Sequence, residues 1–259
     1  MTGVQTCALP IFFGAFQGAA FNGEDFIDEA IAAGAIAIVA RPEAKVSGAV
    51  HIADTVPRRL FAQLAAKYFR PFPQHIAAVT GTNGKTSTAE LTRQLWRMAG
   101  HHAASIGTLG ITTASDQAKT GLTTPDIVTF LSNMAGLSRE GVTHTIFEAS
   151  SHGLSQYRSE GVPVSVAAFT NLSRDHLDYH GTMEDYAATK QKLFVWEGLE
   201  HAIINADDAF GRELIASTTA AKVWSFGFEY GDIRCTQLQT GLDGMTLQIA
   251  TPQGDAVLK

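Results

Sequence analysis

Ile76-Ala77-Ala78-Val79-Thr80-Gly81-Thr82-Asn83-Gly84-Lys85-Thr86-Ser87 decides how this chain is read. An apolar run leads into a glycine-spaced loop, and the loop ends in a lysine and a hydroxyl residue at the start of a helical stretch reaching about Met98. That is the order strand, phosphate loop, helix. The glycines let backbone N–H groups turn inward onto phosphate oxygens, Lys85 brings a point charge to the outer phosphates, and the Thr86 hydroxyl can ligate Mg²⁺. The helix adds the positive end of its dipole. Val79 stands where the general pattern G-x-x-x-x-G-K-[ST] has its first glycine, a departure that narrows the choice among phosphate-loop proteins. These residues point to a nucleoside triphosphate.

Downstream of the loop, short apolar runs alternate with helical segments: 76–80, 145–149, 164–170, 202–205 and 223–226. The alternation predicts a mostly parallel sheet covered by helices. From 234 to 258 the runs shorten and are broken by Gly241, Gly244, Pro252 and Gly254, which predicts an antiparallel meander. Upstream, the pattern predicts a helix over 24–34, strands over 35–40 and around 50–52, and a helix over 56–69. Arg70-Pro71-Phe72-Pro73 stops that last helix, since proline cannot continue one. The expected fold class is therefore α/β: a small N-terminal α/β domain over 12–73, then a phosphate-loop central domain over 74–259 with a mostly parallel sheet flanked by helices and a terminal meander. Residues 1–11 follow neither periodicity and read as an unrelated leader, and position 259 falls inside a strand-like pattern, so both domains are expected to be incomplete.

At 259 residues and 45% hydrophobic content the chain can bury a substantial core. No apolar stretch is long enough to span a bilayer, and the N-terminus lacks the succession of a secretory signal. A cytoplasmic location is expected, in keeping with the use of ATP. Cys7 and Cys235 are too few for a disulfide framework or metal cluster and read as unpaired thiols. The net charge of −6 argues against nucleic acid as a partner.

In an open parallel sheet, ligands collect beyond the carboxyl ends of the strands, so polar residues directly after apolar runs carry the interest. Besides the phosphate loop there are three such places: Glu148 to Arg158, Asn171 to Asp178, and Asn205-Ala206-Asp207-Asp208. Glu148 is placed like the acid that meets Mg²⁺ across from a phosphate loop, against the plainer reading of a helix cap or surface salt bridge. His176, between Asp175 and Asp178, is open to three readings: metal ligand, general base or loop histidine. Lys190, in a helical segment, reads from spacing alone as a solvated lysine. Thr123-Thr124-Pro125 reads as a turn before a helix, with Thr124 or Asp126 as the cap.

Taken together, Gly81 to Ser87, Leu122-Thr123-Thr124-Pro125, Glu148-Ala149-Ser150-Ser151-His152-Gly153-Leu154, Gln156-Tyr157-Arg158 and Phe169 to Gly181 resemble the Mur ligases, the ATP-dependent amide-bond ligases of peptidoglycan precursor synthesis. The likeness runs from about residue 12 to 259 and is greatest to the branch that adds the third residue of the stem peptide. It implies ATP on Gly81, Thr82, Asn83, Gly84, Lys85, Thr86 and Ser87, and Mg²⁺ held by Thr86, Glu148 and His176. It also implies that Lys190 is carboxylated by CO₂ to a carbamate, an anionic oxygen ligand for a second Mg²⁺. Lys85, Glu148, His176 and Lys190 would be the catalytic set, and Thr123, Thr124, Ser150, Gln156 and Arg158 would contact UDP-N-acetylmuramoyl-dipeptide. The second substrate would be a diamino acid, meso-diaminopimelate favoured over L-lysine, and the protein a monomer. In that family a C-terminal domain selects the amino acid and a serine-containing segment opens the N-terminal domain. Neither is recognisable here, so the chain is expected not to turn over alone. Two alternatives stand beside this: another ligase of the same superfamily, such as a folylpolyglutamate synthase, or a P-loop kinase or non-catalytic nucleotide-binding module.

Overall fold

The computed structural model describes residues 12–259 other than 19, 20, 120 and 243. The leader read over 1–11, and Cys7 with it, lies outside the described residues; Cys235 is a free thiol. The chain divides into two compact units. One holds the chain through Phe72 together with Pro125–Arg139 and Ser155–Val162, and the other holds Pro73–Thr124, Glu140–Leu154 and Pro163–Lys259.

The first unit contains a parallel three-stranded sheet, β1 (Phe12–Gly14), β2 (Ala37–Ala40) and β3 (Val50–Ala53), in that spatial order. Every residue of β2 is buried, which its position between two neighbours and its all-apolar sequence explain together. Phe13, Ala15, Ile27, Ala35, Ile38 and Ala40 form the core. The segment expected as one helix over 24–34 begins as a 3-10 turn, Gly23–Phe26, capped where Glu24 N donates to Asn22 Oδ1 at 3.2 Å, and continues as the helix Ile27–Ala32. The helix Pro57–Tyr68 carries proline in its first turn and packs on the helix Ile127–Arg139. Glu160 accepts from Arg59 Nε at 2.8 Å and from Gln63 Nε2 at 3.2 Å, fastening 155–162 to the same helix.

The second unit is built on an eleven-stranded sheet. In chain order its strands are β4 (His75–Thr80), β5 (Ala103–Gly107), β6 (Gly110–Thr112), β7 (Gln117–Ala118), β8 (His144–Glu148), β9 (Val166–Phe169), β10 (His201–Asn205), β11 (Lys222–Gly227), β12 (Ile233–Gly241), β13 (Gly244–Thr251) and β14 (Gly254–Leu258). Their spatial order is β14-β13-β12-β11-β10-β9-β4-β8-β5-β6-β7. The run from β12 to β5 is parallel throughout; β13 and β14 form the antiparallel meander and β6 and β7 an antiparallel fringe. The large, mostly parallel sheet with terminal antiparallel strands is the one the alternation of apolar runs implied.

β4 lies between β8 and β9, and this position builds the site. Register pairs Val79 with Glu148 and Thr80 with Phe169, so the loops after three strands open side by side beyond the carboxyl edge. The helix Lys85–Met98 returns over β4, β8 and β5, placing Ala89 in a core with Ala77, Val79 and Ile146. β5, like the short β6 and β7 beside it, was announced by no apolar run: Ala103-Ala104-Ser105-Ile106-Gly107 is built mostly of small residues of weak strand preference.

Candidate active site

The phosphate loop is held open by its own backbone geometry and by the strand next door. Gly81 has φ 144° and Gly84, the cap of the helix, φ 84°, both in the region that side chains disfavour. A Cβ on Gly81 would strike the Thr170 hydroxyl. Thr82 N donates to Asn171 O at 2.8 Å and Asn83 N to Asn171 Oδ1 at 3.0 Å, while Thr170 Oγ1 donates to Asn83 O at 2.7 Å. The loop after β9 thus fixes the cradle in place.

A cavity of about 260 Å³ opens above the loop. Gly81, Thr82, Asn83, Gly84, Lys85 and Thr86 line one side, and Thr108, Thr123, Glu148, Ser150, Ser151, His176, Tyr186 and Lys190 the rest. Ser87 is exposed on the helix and does not line it. Lys85 Nζ turns back onto Gly81 O at 2.9 Å and Thr82 O at 2.8 Å, and burial pushes its pKa below the usual lysine value.

Glu148 is 2% exposed and is neither a helix cap nor a surface ion pair. Its Oε1 accepts from Thr108 N at 2.8 Å; its Oε2 accepts from Thr86 Oγ1 at 3.0 Å and Thr108 Oγ1 at 3.3 Å. Gly107 makes this possible, because a Cβ there would occupy the carboxylate's place. Thr108 was not singled out in the sequence, and its only signal would have been a polar residue after a strand too weak to recognise. Its hydroxyl also lies 3.0 Å from Thr123 Oγ1, on the far wall. Thr86 and Glu148 together present hard oxygens side by side, a donor set that fits Mg²⁺ completed by phosphate oxygens and water. Among the described residues no three His, Cys, Asp or Glu side chains are grouped to hold a metal by themselves.

Lys190 overturns its plain reading as a solvated helix lysine. It is 1% exposed, its Nζ donates to Gly81 O at 2.9 Å and stands 4.3 Å from the centroid of the Tyr186 ring. Burial, seconded by the charge of Lys85, lowers its pKa to about 7. Tyr186 is equally buried, its phenol pushed up by burial, and its hydroxyl lies 3.2 Å from Thr82 Oγ1. His176 lines the cavity from a left-handed backbone, φ 51°, with its Nε2 3.4 Å from Asp175 Oδ2.

Of the residues proposed for substrate contact, Thr123 and Ser150 line the cavity. Thr124 does not: it is 2% exposed, with its hydroxyl donating to Glu148 O at 2.8 Å and lying 2.9 Å from Ser150 Oγ. The cap of the following helix is Asp126, whose Oδ1 accepts from Val128 N at 3.1 Å and Thr129 N at 3.0 Å. Gln156 and Arg158 belong to the first unit, where Arg158 Nη2 donates to Gln156 Oε1 at 2.8 Å. The cluster after β10 is not in the cavity either. Asp208 caps a helix through Phe210 N at 2.9 Å and holds Leu172 N at 2.7 Å, while Asp207 gathers the N–H groups of Phe228, Glu229 and Tyr230.

A phosphate loop at the switch point of a parallel sheet, faced by a buried acid and a buried lysine, defines a nucleotide-handling P-loop α/β protein. The profile of the Mur ligase middle domain matches residues 79–258, and the chain belongs to the Mur ligase family. It is 58% identical over 225 residues to UDP-N-acetylmuramoyl-L-alanyl-D-glutamate--2,6-diaminopimelate ligase of Zymomonas mobilis, covering 85% of this chain and 45% of that one. Against the protein of the same name from Bradyrhizobium diazoefficiens it is 45% identical over 249 residues, 92% of this chain and 50% of the relative. A solved structure of a UDP-N-acetylmuramoyl-L-alanyl-D-glutamate--2,6-diaminopimelate ligase superposes with a TM-score of 0.87 at 31% identity, over 96% of this chain and 52% of that one. The chain thus spans about half the length of the relatives it matches.

Proposed function

We propose that this chain supplies the nucleotide-binding part of an ATP-dependent ligase that joins meso-diaminopimelate to UDP-N-acetylmuramoyl-L-alanyl-D-glutamate. The observation that carries the reading is the convergence of the phosphate loop, Glu148 and Lys190 on one polar cavity. In the reaction the D-glutamate carboxylate attacks the γ-phosphorus of ATP and the bond to the β-phosphate oxygen breaks, giving an acyl phosphate and ADP. The amine of the diamino acid then attacks the acyl carbon, inorganic phosphate leaves and the amine gives up a proton.

The residues divide the work by position. Lys85 exchanges the carbonyls of Gly81 and Thr82 for phosphate oxygens, and the loop N–H groups hold the phosphates in line. Thr86 and Glu148, with His176 on the same cavity, would hold Mg²⁺, which would screen the charge on the triphosphate. Lys190 reacts with CO₂: with a pKa of about 7 a good part of it is neutral near pH 7, and the neutral amine forms an N–C bond while releasing one proton. The product is an anionic carbamate where a cation stood. Thr123 and Ser150 contact the UDP-N-acetylmuramoyl-dipeptide; in the first unit, Arg158 beside Gln156 is suited to grip a carboxylate. Thr124 serves by orienting Ser150.

The ligase works as a cytoplasmic monomer; among the described residues no helix is long and apolar enough to cross a membrane. Two measurements on the 259-residue chain test the reading. Calorimetry is expected to give Mg²⁺-dependent binding of a non-hydrolysable ATP analogue, and carbon-13 bicarbonate a carbamate resonance that Lys190→Met abolishes. No nucleotide binding refutes the reading; binding without a carbamate favours a kinase-like or non-catalytic module.

A further inference from the structure

Tyr186 is the one large side chain of the cavity that neither motif nor charge brought to notice. It sits on the helix Met183–Gln191, 1% exposed, one turn before Lys190. A buried tyrosine hydroxyl needs a hydrogen-bond partner, and most find a backbone carbonyl or a water. This one ends on the phosphate loop.

The donors and acceptors around Thr82 fix the direction of that bond. Thr82 Oγ1 accepts from Ser173 N at 3.0 Å and lies 3.2 Å from Ser173 O and 3.2 Å from Tyr186 Oη. A hydroxyl has one proton and two lone pairs. With the Thr82 proton on Ser173 O and one lone pair on Ser173 N, the remaining lone pair accepts the phenolic O–H. Tyr186 is therefore the donor, and Thr82 is fully satisfied only with it. The other end of the same side chain is the surface on which Lys190 rests, its Nζ 4.3 Å from the ring centroid. His180 packs on the ring at 5.1 Å, which leaves it little freedom to turn.

We propose that Tyr186 is a positioning residue, a strut whose hydroxyl holds Thr82 of the phosphate loop and whose ring holds Lys190, so that the nucleotide phosphates and the modified lysine keep one fixed separation. The inference deepens the ligase reading and rests on it. It assigns the two functions to different atoms: hydroxyl to nucleotide, ring to lysine. A tyrosine that merely filled space would show no such division.

The test uses the 259-residue chain with Tyr186→Phe, Tyr186→Leu, Thr82→Val and the Thr82→Val/Tyr186→Phe pair. Affinity for the non-hydrolysable ATP analogue with Mg²⁺ is read by calorimetry, and carbamate intensity at fixed carbon-13 bicarbonate by NMR. Tyr186→Phe is expected to weaken nucleotide about three- to tenfold, the range for one hydrogen bond, and to leave the carbamate signal as it was. Tyr186→Leu is expected to lose carbamate signal as well. In the Thr82→Val background the Phe substitution should have no further effect on nucleotide, as expected of two groups acting through one contact. Unchanged nucleotide affinity in Tyr186→Phe overturns the proposal, and so does a full additive effect in the double variant. Should Tyr186→Leu not fold, the Phe and Val variants decide alone. If the unsubstituted chain shows neither nucleotide nor carbamate, the ligase reading itself falls and takes the inference with it.

Discussion

Lys85 and Lys190 donate to the same carbonyl oxygen, that of Gly81, each at 2.9 Å, yet they come from helices of opposite kind. The helix Lys85–Met98 follows directly from the loop it serves, starts on a left-handed glycine, and leaves Leu91, Leu95 and Met98 exposed. The helix Met183–Gln191 begins under a Thr182 cap, 3.1 Å from Asp185 N, and buries Tyr186, Thr189 and Lys190. Those three positions have the i, i+3, i+4 spacing of a buried face, but two of the three side chains are polar, so the face has no apolar signature. One lysine is placed by its neighbours in sequence, and the other by what the fold packs around it.

The comparison can be broken most severely at Lys85. Lys85→Met removes the loop's own cation, and nucleotide affinity is expected to fall on the order of 100-fold, as for loss of charge-assisted contacts to phosphate. A calorimetric constant within a factor of three of the unsubstituted chain would show that the loop does not use it. Gly81→Ala attacks the shared carbonyl instead. The added Cβ meets the Thr170 hydroxyl at a backbone angle that side chains disfavour, and a stability loss of about 2–4 kcal/mol is expected in urea titrations.

Lys190 makes a prediction in pH. Its folded pKa of about 7 lies below the usual 10.5, so between those values the unfolded chain holds more protons and stability rises with pH. Lys85 shifts the same way. Lys190→Met should flatten the rise between pH 7 and pH 10 without abolishing it, and an unaltered slope would assign the titration elsewhere.

A smaller effect belongs to the opposite edge of the sheet. There His144, first residue of β8, stacks between His101 at 4.1 Å and His75 at 4.4 Å. Burial, and then the two neighbouring imidazoles, lower its pKa. The unfolded chain therefore takes up the proton first, and stability is lost as pH falls below about 6.5. His144→Phe keeps a ring in the stack and should make the chain less acid-sensitive, measured as the drop in thermal midpoint from pH 7 to pH 5.5.

Much of the fold was legible because it rests on local signals. Five apolar runs marked β4, β8, β9, β10 and β11, prolines bounded the helix Pro57–Tyr68, and glycines spaced the meander. β5 escaped because small residues carry little strand preference, and with it went Gly107 and Thr108, on which the seat of Glu148 depends. Asp207 and Asp208 marked a strand end correctly, yet their carboxylates are spent on backbone N–H groups. Polar residues after a strand are equally good at holding loops and at holding ligands, and only their partners distinguish the two.

Residues 76–87 were enough, unaided, to name a phosphate site, because strand, turn and helix start are made by neighbours in the chain and their chemistry survives in any surroundings. The family likeness of the later motifs supplied candidate roles for Glu148, His176 and Lys190. What tertiary structure alone decided is which polar groups are dry and which touch: a carboxylate seated on Thr108 N, a lysine with its pKa near 7, a tyrosine spanning 82 to 190. Burial and contact are properties of packing between segments distant in the chain, and no local pattern encodes them.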